Sequence, residues 1–206
     1  MLFAFALALS VPQTAPKEAE ATLVQQLIER TQTTQASYAL VRRNEIRRDD
    51  STIHEFAAEF NQGDLHRVET PRDRIVTNCH TGWNAHLNIA TGAITHDDAV
   101  AGMACGVYTG DGVVNAEITG AKSSQFGLLQ QLKIKTVAGV TRVYGIAANG
   151  AIVTEEIVDP AGRPRLLATA VSLSDRLPSI DIFSEASLAK SAVPDEVIKQ
   201  ASEPSK

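Results

Sequence analysis

The sequence predicts an α+β fold that is predominantly antiparallel β, and three observations carry that prediction. Between Leu132 and Phe183, short alternating segments are separated by Asn149-Gly150 and by Asp159-Pro160-Ala161-Gly162, two turn signals a strand length apart. Asn-Gly supplies the two positive φ angles of a type I′ hairpin, while Pro sets φ and Gly closes the second turn. From Ala36 onward the chain keeps a period of two: Tyr38 and Leu40 oppose Ala39 and Val41, and Phe56, Ala58 and Phe60 oppose Glu55, Ala57 and Glu59. That alternation marks half-buried strands. Helical spacing is confined to short stretches near the two ends and in the middle. A sheet with an apolar face must cover it with helices, a second sheet or a ligand.

In chain order, Leu2 to Leu9 is uninterruptedly apolar. It is too short for a membrane span of about 20 residues but suits the core of a signal peptide, about 7 to 15 residues. Residues 1–15 therefore read as a secretion leader, with Ala8-Leu9-Ser10 and Ala19-Glu20-Ala21 both offering small residues for cleavage. Leu23, Val24, Leu27 and Ile28 then recur at helical spacing within Lys17 to Thr31. Turns at Asp49-Asp50-Ser51 and Asn61-Gln62-Gly63-Asp64 separate strands, and Pro71 ends the strand Leu65 to Glu69. Strands Arg74 to Cys79 and Trp83 to Ala90 follow, the latter turned by Thr91-Gly92.

Asp97-Asp98 opens a short helix containing Ala99, Val100, Met103 and Ala104, since carboxylates favour a helix N-terminus. Thr109 to Gly112 reads as a loop, and Gln125 to Gln131 fits helix or strand. Residues 16–195 read as one domain, and 196–206 as a polar tail after one or two helical turns.

A net charge of -5 argues against nucleic acid, whose backbone demands a dense cationic surface. The two cysteines, Cys79 and Cys105, suit an oxidising compartment as a bridge worth about 3 kcal/mol, with two free buried thiols as the alternative. Histidines 54, 66, 80, 86 and 96 match no metal-ligand spacing. The acid pairs Asp49-Asp50, Asp97-Asp98 and Glu155-Glu156 read as solvated, because adjacent carboxylates point apart. Arg42-Arg43 and Arg47-Arg48 read as a solvated hairpin end, or as a docking spot for an acidic partner or lipid headgroup. No nucleophile elbow, P-loop or dinucleotide fingerprint occurs. No catalytic residue, metal or cofactor is expected.

Two local patterns carry a family resemblance. Arg67-Val68-Glu69-Thr70-Pro71 is followed by Ile75-Val76-Thr77-Asn78 and Gly82-Trp83; the second pattern runs from Val143 through Asn149-Gly150-Ala151-Ile152 and Asp159 to Gly162, reaching Ile182-Phe183 and Val193-Pro194. Together they resemble the bacterial periplasmic carriers that sort outer-membrane lipoproteins, the LolA/LolB-like fold. The resemblance implies an incompletely closed β-barrel covered by helices, periplasmic, non-enzymatic, and holding a hydrophobic ligand such as lipid or an acylated lipoprotein. It also implies a membrane-associated transfer partner.

The alternating face offers Phe56, Phe60, Trp83, Leu87, Tyr144 and Ile146 as cavity lining, with Leu27 and Ile28 as lid. The same pattern also fits plain packed core. On the lining reading, Phe60→Asp abolishes lipid binding. Two other readings stay open: an interaction or sensor module with a filled core, and a hydrolase whose site is assembled from distant Asp, Glu or His residues.

Overall fold

A computed structural model describes residues 15–34, 36–178 and 181–202. Apart from Ala15, the expected leader lies outside the described residues. Helix α1 (Ala15–Gln32) carries Glu18 in its first turn and Arg30 in its last, each complementing the helix dipole. Strands β1 (Tyr38–Arg47), β2 (Thr52–Gln62), β3 (Leu65–Glu69), β4 (Asp73–Asn78), β5 (Asn84–Asn88) and β6 (Ile94–Thr95) follow as successive hairpins. After helix α2 (Asp98–Ala104), a second meander comprises β7 (Val113–Ser124), β8 (Gly127–Thr136), β9 (Thr141–Ile146), β10 (Ile152–Val158) and β11 (Pro164–Ser174). A 3-10 helix (Glu185–Ala189) and α3 (Asp195–Ser202) close the described chain.

Antiparallel pairing of β1 with β11 joins the two meanders into one 11-stranded sheet, ordered β6-β5-β4-β3-β2-β1-β11-β10-β9-β8-β7. Its edges, β6 and β7, do not pair with each other, so the barrel is open. The chain crosses from one edge to the other through α2. The α+β, mainly antiparallel, incompletely closed architecture expected from the sequence is the observed one.

Helices cover both faces of the sheet, and the alternation of β1 shows how. Tyr38, Leu40 and Arg42 point to the α1 side; Val41 packs with Phe56, Ala58 and Phe60 beneath α3, and Arg43 reaches the α3 carbonyls of Gln200 (3.0 Å) and Ala201 (3.4 Å). Those are last-turn carbonyls, which a cation caps favourably. On the other face Val24, Leu27 and Ile28 pack against Leu132, Ile134, Tyr144, Ile146 and Ile152. Leu23 stays exposed.

The C-terminal segment is a strap rather than a frayed tail. Arg67, fully buried, donates to the carbonyls of Ile182 (2.8 Å) and Lys190 (2.6 Å), to Ser187 Oγ (2.7 Å) and to Glu69 (2.6 Å). Glu69 in turn accepts from Ser191 Oγ (2.6 Å) and the Ala192 amide (2.8 Å), and Arg74 donates to Leu188 O (2.8 Å). The expected polar tail from 196 is, through Ser202, the packed helix α3, whose Ala201 is buried and whose Val197 and Ile198 pack on the same cluster.

One further expectation is corrected, and one left open is decided. The Asn149-Gly150 turn is not type I′, because among the described residues only glycines have positive φ. Ala147 O accepts from Gly150 N (3.0 Å) and Ala147 N donates to Ala151 O (2.9 Å), which places Gly150 (φ 90) at a left-handed bulge position. There it meets the end of α1, where a Cβ would stand 2.3 Å from Arg30 O. Gly106 (φ 72) meets the same helix end from the other side, 2.6 Å from Thr31 O by the same measure. Of the two alternatives for Gln125 to Gln131, strand is the observed one, in β8 from Gly127 onward.

Candidate ligand-binding site

Several adjacent strands contribute to one cavity. Arg42, Glu59, Val68, Arg142, Tyr144, Ile152, Glu155, Ile157 and Leu166, from β1, β2, β3, β9, β10 and β11, line a space of about 230 Å³ closed by Met103, Ala104, Gly106 and Tyr108. Six neighbouring strands can share one cavity only on the inside of the curl. The α1 side is therefore the interior of the open barrel.

Beyond α2 lies a wider cleft of about 600 Å³, between α2 and the β4–β5 turn. Tyr108 lines both spaces and stands between them. The segment bearing it is held at three points: Asp97 caps α2 through Ala99 N (2.8 Å), Cys105 is bridged to Cys79, and Val107 N donates to Thr31 Oγ (3.0 Å). A third cleft, of about 700 Å³, lies against α1 and is lined by Gln26, Glu29, Arg30, Ala148 and Asn149; it shares no lining residue with the inner cavity.

The sequence-derived lining residues do not form one group. Leu27, Ile28, Tyr144 and Ile146 meet in the interior cluster, and of these Tyr144 also lines the cavity. Phe56 and Phe60 lie on the opposite face beneath α3, and Leu87 packs there with Leu188 of the 3-10 helix. Trp83 is 43% exposed at the β4–β5 turn. Strand β2 turns its phenylalanines outward to the strap and its acids inward, opposite to the arrangement expected.

Inside, polar groups dominate between α1 and the cavity. Tyr38 donates to Glu59, both buried, and Thr34 donates to Asn61. His66 Nε2 donates to Gln32 O (2.8 Å), which can only accept, and the Asn61 amide nitrogen lies against both ring nitrogens. Burial holds His66 below the ordinary 6.5, with the Glu59 charge opposing. As pH falls through 6.5 the unfolded chain gains a proton that the folded one resists, so stability is lost from there down to the folded pKa. His66→Gln is expected to flatten the melting temperature between about pH 7 and pH 5. Equal slopes in the two proteins would contradict this.

Arg42, read from sequence as part of a solvated hairpin end, faces the cavity instead. Glu155, read as solvated, stands between Arg42 (3.7 Å) and Arg142 (3.6 Å). Arg142 also pairs with Asp111 (3.1 Å) and lies over the Tyr108 ring, 5.1 Å from its centroid. Strand alternation was the signal that could have found them: Arg42 shares a face with Leu40, and Glu155 pairs across the ladder with Tyr144. Among the described residues no cluster of His, Cys, Asp or Glu could hold a metal ion.

No family model and no curated protein matches the chain in sequence. Solved structures do match in fold. The MucA/MucB complex from Pseudomonas aeruginosa aligns at TM-score 0.53 and 12% identity, covering 80% of this chain and 60% of that one. This chain shares an open-barrel fold with it. It therefore spans less than two thirds of that matched chain. An uncharacterized conserved protein from Thermus thermophilus aligns at TM-score 0.51 and 13% identity, over 86% of this chain and 96% of that one. A LolA superfamily protein from Nitrosomonas europaea is also among the matches, at TM-score 0.41 and 10% identity, over 79% and 98%. The Cys79–Cys105 disulfide fits an extracytoplasmic protein, and no described helix is long and apolar enough to cross a membrane.

Proposed function

We propose that this chain is a periplasmic binding protein that shelters an amphiphilic ligand, lipid or the acylated end of a lipoprotein, inside the open barrel. The observation that carries this reading is the pair of adjoining spaces, cleft and cavity, separated by Tyr108 at the unpaired opening of the sheet. Val68, Ile152, Ile157 and Leu166 supply apolar wall, and burying an alkyl segment there is worth about 25 cal/mol per Å². The inner cavity alone is below the usual range of about 300 to 1,000 Å³. The ligand accordingly extends past Tyr108 into the cleft under α2. Holding a ligand requires no reacting group, and the reading is one of binding rather than catalysis, with transfer to a membrane-associated partner as its physiological use.

Ile157→Trp, which fills the cavity from β10, is expected to lower uptake of added lipid about ten-fold, or about 1.4 kcal/mol. Unchanged uptake by the folded variant would place the ligand elsewhere. The packed α1 cluster favours a second reading, an interaction module with no cargo, and that reading expects no uptake by either protein.

A further inference from the structure

Resting on the reading just given, we infer that the inner cavity is a carbonyl-binding subsite: it takes the ester or amide oxygen that joins an acyl chain to its head. Three donors on its lining have no hydrogen-bond partner, namely the Tyr144 hydroxyl, Arg42 Nε and Arg142 Nε. Tyr144 is 1% exposed, so its hydroxyl is buried within the cavity wall. The Arg142 guanidinium and the Tyr108 main chain lie near it, but neither meets hydrogen-bond geometry. A buried donor left unpaired is costly, and a ligand acceptor removes that cost on binding. Burial, reinforced by the Glu155 charge, raises the Tyr144 pKa, so the hydroxyl stays protonated and can only gain by donating.

The charge balance selects the kind of acceptor. Two guanidiniums, Arg42 and Arg142, face two carboxylates, Glu59 and Glu155, around the cavity, and Arg142 is also paired with Asp111. The lining is thus already neutralised, and a full anion would meet the carboxylates as well as the arginines. A neutral carbonyl oxygen uses the free donors without disturbing these pairs. The apolar wall of Val68, Ile152, Ile157 and Leu166 lies beside them, where the adjoining methylenes of the same molecule would rest.

The test uses three chain-matched probes on the disulfide-bonded protein: a monoacylglycerol ester, the corresponding glycerol alkyl ether, and the free fatty acid. Titration calorimetry is expected to rank the ester about ten-fold or more above both others. Tyr144→Phe should erase the preference for ester over ether while leaving the ether's affinity unchanged. The ratio is read within each folded variant, so a change in stability does not imitate it. An unchanged ratio in Tyr144→Phe, or a fatty acid that outbinds the ester, overturns the subsite while leaving the ligand-binding reading intact. Failure of all three probes to bind overturns both.

Discussion

Arg67→Ala is expected to destabilise the fold by about 3 to 5 kcal/mol, the range for removing one partner of a buried ion pair. The guanidinium is fully buried between β3 and the C-terminal strap, and its donors are spent on Glu69, on Ser187 and on the carbonyls of Ile182 and Lys190. Alanine would leave those carbonyls and the Glu69 carboxylate without that donor, still buried beneath Ser191 and Ala192. The strap also covers Phe56 and Phe60, so its loosening exposes an apolar face. Urea unfolding gives the stability change, and limited proteolysis reports release of residues 181–202. A loss below about 1 kcal/mol would mean that packing alone holds the strap. The double variant Arg67→Met, Glu69→Leu should lose less than Arg67→Ala, because no fully buried carboxylate is left without its donor and Arg74, which loses Glu69, keeps the Leu188 carbonyl.

Removing the disulfide by Cys79→Ser with Cys105→Ser is expected to cost about 3.5 kcal/mol on the chain-entropy model, given a sequence separation of 26. The bridge ties the β4–β5 turn to the residue that follows α2. Of the anchors on the bridging segment it is the covalent one; the others are the Asp97 cap and the hydrogen bond from Val107 to Thr31. Thermal unfolding of the variant, and of the parent with and without reductant, should show the same loss. Parent and reduced protein melting together would contradict it. Ligand retention should fall alongside, since this segment carries Tyr108 between cleft and cavity.

The strands with a clean period of two were legible in the sequence because their two faces carry different kinds of side chain, as Phe56, Ala58 and Phe60 against Glu55, Ala57 and Glu59 in β2. β7 was not. It is an edge strand of the described sheet, interrupted by register shifts near Val113 and Gly120, and exposed along most of its length, so burial imposes no alternation. The site was harder to read for a different reason. Alternation tells which residues share a face but not which face is inside, and here both faces are covered. Phe56 and Phe60 serve the strap, while Glu59, Asn61 and His66 are buried on the interior side. The rule that apolar residues mark the interior assigns such a strand backwards.

Arg42 and Glu155 were obscured by their neighbours, since Arg43 and Glu156 beside them made solvated pairs of residues that in fact point to opposite sides. Leu27 and Ile28 belong to the helical apolar pattern and Tyr144 and Ile146 to one face of β9, and the four share one packed cluster. Val197, Ile198 and Ala201 likewise carried helical spacing within a stretch whose polarity suggested a tail.

Native mass spectrometry of the protein purified from its native host tests directly whether the open barrel carries a ligand. A one-to-one complex is expected with an amphiphile that carries an acyl ester or amide, released on unfolding and identified by extraction. A mass equal to the bare chain in repeated preparations, with no uptake of added monoacylglycerol, would contradict it.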